Sequence, residues 1–281
     1  MISENKTNKI YFSNKLKEDF PSVCKSIEKV LNSFNCQYGF LPKTKDIWAR
    51  DYMPIQVSKG KFVEFRYDPD YLQGKYKGYR DLKTYPDIVC NELGIETIKS
   101  DIILDGGNVI KSDNCVILTD KIVVENKHTY KKDELLERLS ELFDFAKIIL
   151  IPWDKKEKYG HSDGVVRFID NERVLVSEIY EKDEKLIRRL KENGLKPEFL
   201  RVKIKRQNKF NWAYINFLQT KDLIIVPKFN TEEDKKAIEG ISSYFKGYKI
   251  AQVEMREIAS MGGALNCISW SINESQYGLF T

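Results

Sequence analysis

Five polar residues, Asp51, Asn108, Asp163, Asn216 and Cys267, recur along this 281-residue chain at intervals of 57, 55, 53 and 51 residues, each just ahead of an apolar, strand-prone run. The local sequences are RDYMPIQV, GNVI, SDGVVRF, INFLQ and NCISW. A period of that size marks a repeat or propeller architecture, in which each unit is one supersecondary element that buries its apolar face only against its neighbours. The shared polar positions then gather at one place.

The segments after each polar residue repeat as well. Second strands are expected at 61–67, 114–120, 173–180 and 222–229, all rich in branched and aromatic residues. Helices are expected next. Leu135, Leu136, Leu139, Leu142 and Phe143 share one helical face, as do Leu186, Ile187 and Leu190 ahead of Gly194. Thr231 and the acids after it open a third, with Ala237, Ile241 and Tyr244 on its buried side. Runs such as 146–152 and 248–254 close the unit as strand, strand, helix, strand.

The fifth copy stops soon after Cys267, and its missing parts are expected at the other terminus. Val23, Ile27, Val30, Leu31 and Phe34 supply a helix, and 36–41 a strand. Joining first and last segments in one unit removes an exposed seam. The expected fold is therefore a single α/β domain over 1–281, a fivefold pseudosymmetric propeller.

Composition narrows the setting. An apolar fraction of 42% fills one core, no run approaches a membrane span, and the amino terminus lacks the apolar stretch of a signal peptide. A cytoplasmic protein with no membrane partner is expected. The five cysteines are odd in number and show neither CxxC nor Cys/His spacing, against a disulfide framework and a zinc site. Net charge is only +5. The one basic concentration, 201–209, reads as a solvated edge; Phe210 and Trp212 beside it are too little to build a nucleic-acid site on. The sequence leaves homo-oligomerisation open.

Chemistry is expected at the repeated positions. Of two histidines, His128 lies in a polar run and reads as a surface residue, whereas His161 lies beside Asp163. Two residues apart on a strand, His161 and Asp163 would face one side. Cys267 comes after Gly262 and Gly263, where backbone amides can approach a ligand. Cys24, Cys90 and Cys115 read as small buried hydrophobes. A thiol, an imidazole and several carboxylates around one cavity suggest nucleophilic catalysis with acid/base help. Asp51, Asp105 and Asp163 are acceptors when ionised and so imply a cationic substrate. A guanidinium, planar and rich in donors, is the natural match.

These residues lie in motifs. WARD (48–51) with Pro54, LDGGN (104–108), GHSDGVVRF (160–168), YINF (214–217) and GGALNC (262–267), in that order, resemble the agmatine deiminase and bacterial-type peptidylarginine deiminase family of guanidine-modifying enzymes. The resemblance covers nearly the whole chain and implies the same fivefold propeller. It implies hydrolysis of a guanidine to a ureido group and ammonia, with no metal or cofactor. By that pattern Cys267 is the nucleophile and forms a thiouronium intermediate. His161 protonates the departing ammonia and then activates water. Asp51 and Asp163 bind the guanidinium, and Asp105 orients His161. Trp48 forms an apolar wall, while Asn108, Asn216 and Gly263 line the substrate site.

Three positions depart from the family's usual residues: Met53 for glycine, Asp105 for glutamate, and Asn266 for the histidine before the cysteine. The small cationic substrate expected first is agmatine. Peptidyl-arginine or free arginine is the alternative, with Arg66 or Arg80 as partner for a carboxylate. Amidinotransfer and a non-catalytic guanidine-binding propeller rank below these.

Overall fold

Runs of valine, isoleucine and phenylalanine framed by polar turns form five three-stranded sheets in the computed structural model, which describes residues 1–74, 80–204 and 209–274. Strand β1 (Lys9–Ser13) pairs in parallel with β2 (Gln37–Leu41), and β15 (Ser269–Ile272) adds antiparallel on the other side of β1. The same order is repeated by β3 (Ile55–Ser58), β4 (Lys61–Arg66) and β5 (Ile98–Ile103), and by β6 (Ile110–Lys111), β7 (Cys115–Thr119) and β8 (Lys147–Ile151). It recurs in β9 (Val166–Phe168), β10 (Arg173–Ser177) and β11 (Lys196–Leu200), and in β12 (Leu218–Gln219), β13 (Leu223–Lys228) and β14 (Lys249–Glu254). The result is a fivefold α/β propeller. Its last sheet takes one strand from the carboxyl-terminal end and two from the amino-terminal end.

Each central strand is parallel to the next strand of its sheet, a pairing that requires a crossover. The crossovers contain helices α1 (Pro21–Ser33), α2 (Pro86–Glu92), α3 (Lys132–Leu142), α4 (Glu184–Glu192) and α5 (Glu233–Tyr244). In α3 the apolar stripe Leu135, Leu139 and Leu142 is buried, each side chain contributing about 2 kcal/mol by removal from water. In α4 Asp183 caps the first turn through the amides of Lys185 and Leu186, and Gly194 takes the left-handed conformation just beyond the end, at φ +86°. Central strands β7 and β13 are buried almost throughout.

Several expectations change in detail. Strand β1 and helix α2 were not foreseen from the sequence. The segment 178–180, expected to extend β10, is a 3₁₀ turn. Phe210 is a core residue stacked on Phe229 at 4.8 Å, not a surface platform, and 205–208 of the basic run lie outside the described residues. Among the described residues no helix is long and apolar enough to cross a membrane.

Candidate active site

Just ahead of each innermost strand the chain makes a single helical turn, and the repeated polar residues sit on these turns. Asp51 belongs to the turn Ala49–Tyr52, Asn108 to Gly106–Asn108 and Asp163 to Ser162–Gly164; Asn216 ends the turn Asn211–Ile215, and Cys267 lies in the turn before β15. His161 and Asp163 therefore do not share a strand face. His161 is the extended residue entering its turn, at φ −87° and ψ 137°. Asp105 enters the preceding turn with nearly the same angles, −86° and 136°. The two are equivalent positions of adjacent units, and the repeat brings them together: His161 Nε2 lies 3.1 Å from Asp105 Oδ2. The shorter aspartate thus reaches the imidazole.

The other imidazole nitrogen, Nδ1, is 3.7 Å from Asp51 Oδ1, which also accepts from the Gly107 amide at 3.1 Å. A Cβ on Gly107 would stand 2.5 Å from His161 Nδ1 and 2.6 Å from Asp51 Oδ1, so the second glycine of LDGGN is required by this close approach. On the far side, Asp163 Oδ2 accepts from Asn266 Nδ2 at 2.7 Å and from the Cys267 thiol at 3.5 Å. Asn216 Oδ1 accepts from the Cys267 amide at 3.3 Å and fixes the turn that carries the thiol.

Burial and charge set the protonation of this cluster. Burial alone would pull His161 down, but the carboxylates of Asp51, Asp105 and Asp163 outweigh it and push its pKa up to about 10. Burial, reinforced by Asp163 and Asp51, pushes the Cys267 thiol well up. Burial also raises Asp51, against the pull of the imidazolium. At neutral pH the site holds an imidazolium and a protonated thiol.

Two adjoining cavities of about 310 and 480 Å³ meet at His161 and Cys267. Trp48, Asp51 and Gly263 line the smaller, Asp163 and Asn216 the larger. At Gly263 a Cβ would stand 2.2 Å from the Trp48 indole, so its bareness also seats the aromatic wall. Asn108 lines neither cavity. Its Oδ1 accepts from the Thr119 amide at 2.8 Å, tying one turn to β7, because that unit places its polar residue against a central strand. Arg66 and Arg80 also line neither; Arg66 is exposed and paired with Asp68 at 2.6 Å. Met53 is buried in the core away from both cavities, while Asn266 acts on Asp163.

Three contributors lie outside the sequence motifs. Tyr71 donates to Asp105 Oδ2 at 2.8 Å and packs edge-on against Tyr159, whose ring lies 5.8 Å from His161. Nothing in DPDYLQ signals that role. Asp46, two residues before WARD, lines the smaller cavity and accepts from the Trp48 amide at 2.9 Å; its nearness to the motif was the available signal. Burial pushes its carboxyl up to about 7, against that hydrogen bond.

The sequence model of the Porphyromonas-type peptidyl-arginine deiminase family matches residues 2–272. An Enterococcus faecalis protein named "putative agmatine deiminase" is 27% identical over 273 residues, 80% of this chain and 74% of its own length. The solved structure of C. jejuni agmatine deiminase superposes with a TM-score of 0.76 at 21% identity, covering 96% of this chain and 94% of that one. That of agmatine deiminase of Enterococcus faecalis gives 0.71 at 20% identity, covering 96% and 94%.

Proposed function

The chain belongs to the Porphyromonas-type peptidyl-arginine deiminase family, and we propose that it is a cysteine-dependent hydrolase that converts a guanidinium substrate to a ureido product and ammonia, agmatine being the substrate its cavity suits best. The observation that carries the reading is one cavity edge at which Cys267, His161 and Asp51 converge, with Asp163 on the thiol and Asp105 behind the imidazole.

Three carboxylates against one imidazolium leave the site hungry for positive charge, and a guanidinium satisfies it between Asp51 and Asp163. The same field disfavours a resting thiolate. The arriving cation offsets that field, so the nucleophile is released where its electrophile is bound. The thiol proton passes to Asp163, which it already touches, and sulfur bonds to the guanidinium carbon. His161 then gives its proton to one amino group, the C–N bond breaks, and ammonia leaves a thiouronium on Cys267. The neutral imidazole next takes a proton from water as its oxygen bonds to the same carbon. The C–S bond breaks, the thiolate recovers its proton from Asp163, and the ureido product departs, its hydroxyl proton passing to solvent, where the freed ammonia takes it up as ammonium.

The cavity favours an amine-tailed substrate, for which agmatine is apt and N-carbamoylputrescine the product. Asp46 and Asp19 line it, whereas the arginines considered for a carboxylate do not. A second reading, free or carboxyl-terminal arginine, draws on Lys45 and Lys158 at the same cavity. Purified protein offered agmatine, free arginine and carboxyl-terminal arginyl peptides separates the two. Agmatine should yield a ureido product and Cys267→Ala none; absence of product from the whole panel with the thiol intact sinks the enzyme reading.

A further inference from the structure

The five innermost strands carry a second repeated position, a few residues beyond the first: Gln56, Lys111, Arg167, Gln219 and Ser271, all polar and all buried. None of them lines the cavities at Cys267. Lys111, Arg167 and Gln219 line a cavity of about 120 Å³, closed on one side by the amino-terminal residues Ser3, Glu4 and Asn5.

Charge in that cavity does not balance. Glu4 is the carboxylate that enters it, touching Arg50 at 3.3 Å, while Lys111 and Arg167 form no ion pair among the described residues. Two further acids at the rim are already matched, Asp113 by Lys6 at 2.7 Å and Asp170 by Arg173 at 2.8 Å. Glu4, already paired with Arg50, thus stands beside two further buried cations, Lys111 and Arg167. Arg167 is only 1% exposed, its guanidinium lies 4.8 Å over the Phe217 ring, and both terminal nitrogens lack a hydrogen-bond partner among the described residues. Lys111 Nζ gives one proton to the Gln56 carbonyl at 2.9 Å and keeps two. A buried guanidinium without acceptors is costly and calls for an anion that its fork of donors can hold.

We propose that this end of the propeller binds a small oxyanion, held by the Arg167 guanidinium and the Lys111 ammonium. The cavity admits an anion of phosphate or carboxylate size and is too small for a nucleotide, since drug-sized ligands need about 300 Å³ or more. Glu4, on the segment covering the cavity, is the built-in competitor.

The test is thermal unfolding of the full chain in sodium phosphate, sodium acetate and sodium chloride at matched ionic strength. Phosphate should raise the melting temperature saturably above chloride. Arg167→Met and Lys111→Met should each abolish that excess, and Glu4→Gln should tighten phosphate binding about tenfold by removing the competing charge. An equal response to acetate assigns the site to carboxylates as well and still supports it. The proposal is overturned if phosphate and chloride act alike on the wild type, if Arg167→Met keeps the excess, or if Glu4→Gln binds phosphate no more tightly. Should Arg167→Met fail to fold, phosphorus NMR line broadening with wild type, Lys111→Met and Glu4→Gln decides by the same criteria. Because the readouts are unfolding and binding, their outcome is independent of whether agmatine is turned over.

Discussion

Gly107→Ala is the substitution whose effect the geometry fixes most tightly. Its new methyl would stand 2.5 Å from His161 Nδ1 and 2.6 Å from Asp51 Oδ1, about 1 Å short of an ordinary contact at 3.4 Å. The neighbours are not the free ends of flexible chains: His161 is held by Asp105 and Asp51 by the Gly107 amide itself. The imidazole and the carboxylate must therefore part by roughly 1 Å, and misplacement on that scale costs on the order of 100-fold in turnover. Two neighbouring glycines calibrate the result. At Gly164, beside Asp163, a methyl meets nothing within 4 Å, so Gly164→Ala should keep wild-type stability. At Gly106 it would stand 2.0 Å from the Arg50 carbonyl, which is backbone and cannot yield, so Gly106→Ala should lower the melting temperature sharply. The assay is ureido-product formation from agmatine beside a thermal melt for each variant. Folded Gly107→Ala turning over at the wild-type rate would refute the claim that the His161 and Asp51 placement limits the reaction.

Four further outcomes are expected. His161 has its pKa raised to about 10 from 6.5, so the stability this gives is fully present below pH 6.5 and is lost as pH rises through 10; chemical denaturation should show wild type losing more stability over that window than His161→Gln. Tyr71→Phe removes a donor 2.8 Å from Asp105 and should lower kcat about tenfold with KM unchanged, a split that steady-state kinetics resolves. Asp46→Asn should raise KM for agmatine about tenfold, and the wild-type KM should fall as pH rises through 7 while the variant's does not. Asp51→Asn should speed alkylation of Cys267 by iodoacetamide, because Asp51 is one of the charges holding the thiol protonated, while turnover is lost; slower alkylation would contradict the charge argument.

The repeat was legible because sheet pairing within each unit is local: Cys115–Thr119, Arg173–Ser177 and Leu223–Lys228 announce themselves by β-branched runs. Strand β1 was not, since its partners are β2 and the distant β15, and KIYFS alone is too short to declare itself. His161 and Asp163 were expected together for the wrong reason. Strand alternation does not apply on a 3₁₀ turn, and what joins His161 to the carboxylates is equivalence with Asp105 one unit earlier. Asn108 shared the spacing but not the surroundings, because an amide that satisfies the Thr119 backbone is held away from the cavity. Tyr71 reaches Asp105 across 34 residues, and no periodicity encodes such a contact.

The two repeated positions also explain how so acidic a cavity tolerates a thiolate at all. Arg167 interacts electrostatically with both Asp163 and Cys267, so the basic end of the propeller offsets part of the carboxylate field at the acidic end. Neither end is favourable alone. Asp51 and Asp163 oppose the thiolate, and Arg50, Lys111 and Arg167 outnumber the Glu4 carboxylate they act on. An oxyanion held by Arg167 would withdraw part of that compensation and leave Cys267 more firmly protonated. The charge that suits the far cavity is therefore the charge that quiets the near one.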